Sequence, residues 1–310
     1  MNKNKIQTIL ITGASGFIGS AISEYFYNKN YKIIEVKRGE TGENVISKDI
    51  SGSTDWSDSL KGIDIIIHCA AAVHQMKESD HNIESYQKVN VAGTLNLANQ
   101  AKNHVKRFIF LSTIKVNGEE TFAMKFTPEE EVNPKDPYSI SKKIAEDGLI
   151  EISKSSEMEV VIIRPPLVYG KNPKGNLGKL SNLINMRLPL PFGLITTNKR
   201  SLIYIENLIE FINICTFHPK AANEKFLISD GEDISTKEMI LLIAKAMNKK
   251  AYLVPIPSSL LRLFFVLIGK KEYGNRLMGS LSIDISKSKD RLGWDPKFSI
   301  SEGFKNSFKD

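Results

Sequence analysis

The sequence predicts an α/β protein built on a doubly wound parallel sheet, with a smaller cap formed mainly by its second half. Three observations carry this reading. Short apolar runs alternate with helix-period segments through residues 1–170. Those runs are almost free of polar side chains, as strands covered on both faces must be. The alternation then stops, and Pro, Gly and Asn become frequent over 171–200. The chain has 310 residues, 41% apolar and 25% charged. That suffices for a sizeable core and excludes disordered, collagen-like and coiled-coil chains.

The elements follow in order. Thr8–Thr12 is a buried-strand run, and Phe17–Asn28 has helical spacing at Ile18, Ile22, Tyr25 and Phe26. Lys32–Val36 reads as a second strand and Val45-Ile46 as a third. Ile63–Cys69 is a nearly continuous apolar strand, Ser85–Lys102 a helix and Phe108–Leu111 a strand. Pro137–Ser153 is a helix opening on Pro, whose missing N–H is tolerated in a first turn. Val160–Ile163 is another strand, and apolar helical segments lie near 205–217, 236–247 and 258–268. The stretch Leu260–Ile268 reads as a core helix of the cap, with a membrane-surface contact as its alternative.

Composition narrows the function. The only cysteines, Cys69 and Cys215, are far apart, which excludes a disulfide scaffold and a cysteine-based zinc site; no metal is expected. The net charge of +7 is dispersed in pairs such as Lys249-Lys250, so no nucleic-acid partner is expected, and an anionic small substrate suits the charge. No apolar run reaches the ~18–20 residues of a membrane span. A cytoplasmic protein without stable membrane insertion is expected. Met1–Lys5 is basic, but the run behind it is broken by Gly13 and Gly16 and carries no cleavage signal.

The first strand runs into Thr12-Gly-Ala-Ser-Gly-Phe-Ile-Gly19 and then a helix. Gly13 would permit the tight turn, Gly16 the approach of backbone to a pyrophosphate, and Gly19 close packing of helix on sheet. Phosphates would sit at the helix N-terminus, where free N–H groups and the dipole favour anions. This is a Rossmann-like dinucleotide site, with residues 1–170 as the dinucleotide-binding domain. Residues 171–310 are mainly the substrate-binding cap, with some segments returning to the first domain. The second strand ends Glu35-Val-Lys37-Arg38, with cations where a ribose-binding carboxylate is usual. NADP(H) is therefore favoured; NAD(H) remains the alternative, with Glu35 reaching the ribose. Asp49 and Ile50 are placed to touch adenine.

A Tyr-x-x-x-Lys pair puts both side chains on one helical face. Two such pairs occur, Tyr25/Lys29 and Tyr138/Lys142. The first lies in the helix leaving the glycine loop. The second follows the strand that ends Leu111-Ser112-Thr113, so it is the candidate catalytic pair, with Tyr138 as general acid or base. An ammonium at Lys142 would favour the phenolate and hold the nicotinamide ribose.

These motifs together resemble the extended short-chain dehydrogenases/reductases, particularly the NAD-dependent epimerase/dehydratase branch. The resemblance rests on TGASGFIG, HCAAAVHQ (68–75), Asn90-Val-Ala-Gly-Thr94, LSTIKVNG, PYSISKKIAE and RPPLVYG (164–170), in the family's order. It implies Thr113, Tyr138 and Lys142 as the catalytic triad. It implies a cofactor lining of Gly13, Ser15, Gly16, Phe17, Ile18 and Gly19 in the loop. Ala70, Ala71, Ala72, Asn90, Ser112, Pro165 and Val168 complete that lining. Asn176, Arg200 and Arg276 would contact a substrate diphosphate, through bidentate recognition in the arginines' case. Lys115 and His74 would approach the sugar, although His74 also reads as a satisfied strand-end residue. Asn117 stands where the family often has tyrosine.

The late segments LPLPFG, KRSLIYIENL and MGSLSIDISK…LGWDP resemble bacterial polysaccharide-locus reductases. The resemblance thus implies reduction of the C4 ketone of a UDP-4-keto-6-deoxy-N-acetylhexosamine. The alternative is a UDP-sugar 4-epimerase (UDP-glucose/UDP-N-acetylglucosamine type) with tightly bound NAD. A 4,6-dehydratase is disfavoured, since Ile114-Lys115 rather than an acidic pair follow Thr113. A non-catalytic cofactor-sensing protein is a remote third reading, because the Tyr/Lys pair is retained. A homodimer through helices 85–102 and 137–153 is also implied.

Overall fold

The computed structural model describes residues 7–72, 80–173 and 175–309. Seven parallel strands form the main sheet: β1 (Thr8–Thr12), β2 (Lys32–Lys37), β3 (Val45–Ser47), β4 (Ile65–His68), β5 (Arg107–Leu111), β6 (Glu159–Arg164) and a late strand, Lys225–Leu227. In spatial order they run β3-β2-β1-β4-β5-β6 and then Lys225–Leu227. The order reverses between β1 and β4, which are hydrogen-bonded neighbours, and the crevice beyond their carboxyl ends is where such sheets bind ligands. All of β1, β4 and β5 is buried, which explains their uninterrupted apolar reading.

Helices α1 to α4 belong to the first half. α1 (Phe17–Asn28) leaves the glycine loop. The expected helix 85–102 begins earlier and is not uniform: α2 (Asp80–Ser85) passes into a π-helical stretch, Tyr86–Gly93, and then α3 (Thr94–Ala101). Wider turns of this kind mark functional sites; here the turn carries Asn90 and brings Gly93 against Ile50, whose Cγ2 would lie 2.6 Å from an added Cβ. α4 (Pro137–Lys154) begins at a capping box, in which the Asp136 carboxylate accepts from Ser139 N–H and the Ser139 hydroxyl bonds back.

The second half adds β7 (Leu167–Tyr169), α5 (Gly175–Asn185), β8 (Pro189–Leu190), β9 (Arg200–Tyr204) and α6 (Ile205–Phe217). The late sheet strand is β10 (Lys225–Leu227). Then come β11 (Asp233–Ile234), α7 (Thr236–Ala246), β12 (Tyr252–Leu253), α8 (Ser258–Leu267), α9 (Lys271–Met278), α10 (Ser286–Leu292) and α11 (Ile300–Ser307). Two small sheets, β11-β9-β7 and β12-β8, complete the molecule. Asp230 ties these parts together. Its carboxylate accepts from Tyr169 Oη at 2.7 Å, Tyr204 N at 2.9 Å and Asn207 Nδ2 at 2.7 Å. Burial pushes its pKa up to about 6 despite those donors.

One expectation fails here. The apolar stretch Leu260–Ile268 forms α8, but only Leu261 and Phe265 are buried; Leu267 is 76% and Phe264 54% exposed. The helix packs chiefly on α9, whose Gly274 admits the Phe265 ring, so only one of its faces finds cover.

Candidate active site

The glycine loop has the geometry its sequence demands. Gly13 adopts φ +70°, and a Cβ there would lie 2.7 Å from Ala70 N, so the loop turns hard against the exit of β4. A Cβ at Gly19 would stand 2.2 Å from the Gly13 carbonyl oxygen, which makes glycine the condition for α1 to approach. At Gly16 an added Cβ would meet only that same oxygen, at 3.2 Å, and otherwise open space. α1 has neither a side-chain cap nor an acidic residue in its first turn. Its N–H groups and dipole are therefore available to an anion, and the loop fits a dinucleotide pyrophosphate. Ser15 and Phe17 are exposed beside it, and Ile18 is half-buried.

The exit of β4 is held from two sides. Thr12 Oγ1 pairs with His68 Nδ1 at 2.8 Å, and His68 Nε2 with Thr94 Oγ1 at 2.9 Å. Burial and the nearby Lys142 hold His68 down at about 3, so the ring is neutral at ordinary pH. Asn90 grips Ala72 at both ends, accepting from its N–H at 2.7 Å and donating to its carbonyl at 3.1 Å. The same amide donates to Ser141 Oγ at 3.0 Å. Asn90, expected to touch cofactor, uses its amide to hold Ala72 and α4. His74 lies outside the described residues.

Tyr138 and Lys142 sit one turn apart on α4, which packs against the turn Ile114–Val116 after β5. Thr113 caps that turn, its Oγ1 accepting from Lys115 N at 3.3 Å. Lys142 is 1% exposed, with Nζ 4.0 Å from the centroid of the Phe110 ring. Burial lowers its pKa to about 7, against the opposing influence of Cys69 and Glu146. The expected phenolate at Tyr138 is not what the protein alone provides. Burial, then Asp136 and Tyr86, raise the Tyr138 hydroxyl well above its ordinary range. Its ring meets Tyr86 edge-on at 6.0 Å. The second pair, Tyr25/Lys29, lies on α1, which packs against α6, and Glu210 adds to the burial that raises Tyr25.

Two more of the expected site residues have partners within the protein. Ser112 donates its hydroxyl to Glu146 Oε1, 2.5 Å away. Glu146 also takes a bidentate pair from Arg164, at 2.9 and 2.5 Å, both residues being 1% exposed. Arg164 in turn donates to Asn117 Oδ1 at 2.9 Å, and Asn117 donates to Thr127 O and Glu130. This buried network fixes the segment that carries Thr113. Sequence reasoning missed Glu146, although its place one turn after Lys142 on the catalytic face was a usable signal. At the end of β2, Lys37 is paired with Glu35 at 3.1 Å and Glu40 at 3.8 Å, so its charge is already neutralised. Arg38 and Asp49 are exposed, Ile50 and Val168 half-buried, and Pro165 is buried with its carbonyl accepting from Ile114 N.

The expected substrate cations do assemble. Arg276 approaches Glu119 at 3.4 Å and Asp136 at 3.8 Å. Lys115 bonds Asp136 and lies 3.5 Å from Glu119. Arg200 is half-buried near Glu120 and Arg276; desolvation, and then Arg276, lower its pKa against the pull of Glu120. The Nε of Arg276 is buried without a hydrogen-bond partner among the described residues. Asn176 is exposed in the first turn of α5 and makes no hydrogen bond to this cluster.

A doubly wound sheet with this glycine loop and this Tyr–Lys pair defines a nicotinamide-dinucleotide enzyme of the short-chain dehydrogenase/reductase type. The chain belongs to the NAD dependent epimerase/dehydratase family, whose pattern matches residues 9–229. It is 43% identical over 309 residues to a UDP-glucose 4-epimerase of Vibrio cholerae, covering 97% of this chain and 94% of that one. It is 30% identical over 265 residues to the N-acetyl-alpha-D-glucosaminyl-diphospho-ditrans,octacis-undecaprenol 4-epimerase of Escherichia coli O157:H7, covering 83% and 76%. Its fold matches that of UDP-glucuronic acid 4-epimerase from Bacillus cereus in complex with UDP-glucuronic acid and NAD. That match has a TM-score of 0.79 and 23% identity, over 97% and 98% of the chains.

Proposed function

We propose that the protein is a UDP-hexose 4-epimerase that retains NAD, rather than the 4-ketoreductase suggested by the late sequence segments. The observation that carries this is the 43% identity, over nearly the full length of both chains, to a UDP-glucose 4-epimerase. The end of β2 supports NAD. The pairing of Lys37 with Glu35 and Glu40 leaves two cations and two carboxylates there, a poor site for a 2′-phosphate.

Bound in the crevice, the nicotinamide would supply a hydride acceptor and donor. Tyr138 takes the proton of the C4 hydroxyl and later returns it, while Thr113 hydrogen-bonds the same oxygen. Lys142 holds the ribose and, when charged, lowers the cost of a phenolate at Tyr138. Lys115 and Arg276 offset the Asp136 carboxylate, which otherwise opposes that phenolate. The substrate diphosphate would exchange for Glu119 and Asp136 at Lys115, Arg200 and Arg276, giving Arg276 Nε a partner. Ile140 and Ile144, exposed one turn apart on α4, support a homodimer through this helix.

The test is to denature purified protein, identify any released dinucleotide, and assay UDP-glucose to UDP-galactose conversion without added cofactor. Retained NAD near one per chain with conversion supports the reading. Absence of retained cofactor, with NADPH-dependent reduction of a 4-keto sugar nucleotide, overturns it.

A further inference from the structure

The exposed face of α8 has a periodic composition. Leu260, Leu263, Phe264 and Leu267 are spaced i, i+3, i+4, i+7 and all are exposed, so they form one stripe. Tyr252 and Val254, exposed just before the helix, extend the apolar surface. Monomeric proteins rarely leave such a contiguous patch uncovered without a use for it. The chain on either side of it is cationic. From Met239 to Lys271 the chain holds Lys245, Lys249, Lys250, Arg262, Lys270 and Lys271, all exposed, and no Asp or Glu. Without these six, the remaining 36 basic side chains nearly balance the 35 acidic ones. Nearly all of the protein's excess charge therefore falls in the stretch of chain that holds its exposed apolar helix, with Arg262 on the helix itself, Lys270 and Lys271 just after it, and Glu272 next in sequence.

We propose that α8 docks this protein on an anionic lipid bilayer. The stripe would lie in the interface plane with its side chains at the headgroup–acyl boundary and the lysines on the headgroups. No helix among the described residues is long and apolar enough to cross a membrane, so the attachment is peripheral. A second copy on the same face is disfavoured by these charges, since a two-fold contact would bring Arg262, Lys270 and Lys271 of both copies together. Arg276 lies in the last turn of α9, the helix on which α8 packs, so the docked helix is one element removed from the cations proposed to hold the substrate diphosphate.

The experiment is co-sedimentation of the full chain with vesicles of phosphatidylglycerol and phosphatidylethanolamine, and with vesicles of phosphatidylcholine alone. Light scattering is run in parallel. Two variants are compared, Phe264→Asn/Leu267→Asn and Lys270→Glu/Lys271→Glu, whose side chains are exposed and whose folding is checked by thermal melting. Each surface cation is worth about five-fold in partition. Wild type should pellet with the anionic vesicles and at least about ten-fold less with phosphatidylcholine. Both variants should lose about ten-fold or more, and binding should weaken with salt. Wild type remaining in solution with anionic vesicles overturns the proposal. So does the Phe264/Leu267 variant pelleting like wild type, or that variant changing the oligomeric state without changing lipid binding.

Discussion

At the scale of single residues, two tyrosine–lysine pairs of identical spacing have opposite surroundings. On α4, which packs on the turn after Thr113, Tyr138 lies by Tyr86 and Asp136, whereas Tyr25 lies on α1, which packs against α6. Tyr138→Phe should lower turnover by about 10²–10⁴-fold, the usual contribution of a positioned acid–base group, with little change in retained dinucleotide. Tyr25→Phe should leave turnover within about two-fold, as removal of a hydroxyl remote from the chemistry should. Equal effects in a turnover assay would refute the assignment. Lys142 gives a pH-dependent expectation. Its folded pKa is about 7 and its ordinary value 10.5. Between these the unfolded chain holds a proton that the folded chain has released, so this group's contribution to stability rises with pH through that window. Below it, the buried ammonium is charged in both states and carries its full desolvation cost. In cofactor-free protein, the stability of wild type relative to Lys142→Met should therefore climb from about pH 7 towards pH 10, at up to about 1.4 kcal/mol per unit. Urea titrations across that range measure it, and a flat difference would mean that the ammonium is not desolvated.

At the scale of elements, the glycine loop separates packing from binding. Gly19→Ala places a Cβ 2.2 Å from Gly13 O, against backbone that cannot give way cheaply. It should cost about 1–3 kcal/mol of stability, as overpacking does. Gly16→Ala meets only one atom, at 3.2 Å, on the side where a pyrophosphate would lie. It should alter the thermal melt of cofactor-free protein little and yet abolish cofactor retention. Denaturation curves and released-dinucleotide assays on both variants test this pair, and loss of stability by Gly16→Ala equal to that of Gly19→Ala would contradict it. The three glycine roles were legible in the sequence because strand, spacing and helix all constrain the same backbone. The roles of Lys37, Ser112 and Asn90 were not. Lys37 meets Glu35 and Glu40 only because the strand end and the turn after it bring the three together, and Ser112 and Asn90 depend on distant partners, Glu146 on α4 and Ala72 after β4. α8 was misjudged for a related reason. Its composition is that of a core helix, and only the positions of its neighbours show that one face is left open.

At the scale of the whole molecule, the boundary near residue 170 marks a change of sequence rhythm but not a break in the core. One apolar cluster joins Ile11 and Ile163 of the first half to Leu208, Phe226 and Phe304 of the second. β10 pairs with β6 and completes the sheet, and Asp230 gathers Tyr169, Tyr204 and Asn207 into one buried network. A fragment of residues 1–170 would expose the β6 edge, an unpaired and largely apolar strand of the kind that invites aggregation. It would also lose α6, which covers α1 and β5. The intact chain should therefore unfold in a single cooperative transition. The fragment should show no cooperative transition, bind a hydrophobic dye, and retain no dinucleotide even though the whole glycine loop is present. Calorimetry and dye binding on both chains are the measurements. Two separable transitions in the intact chain, or a fragment that melts cooperatively and retains dinucleotide, would show that the first half is an autonomous domain. The sheet points the other way: the glycine loop is local, but the sheet that holds it is finished by residues more than fifty positions past the boundary.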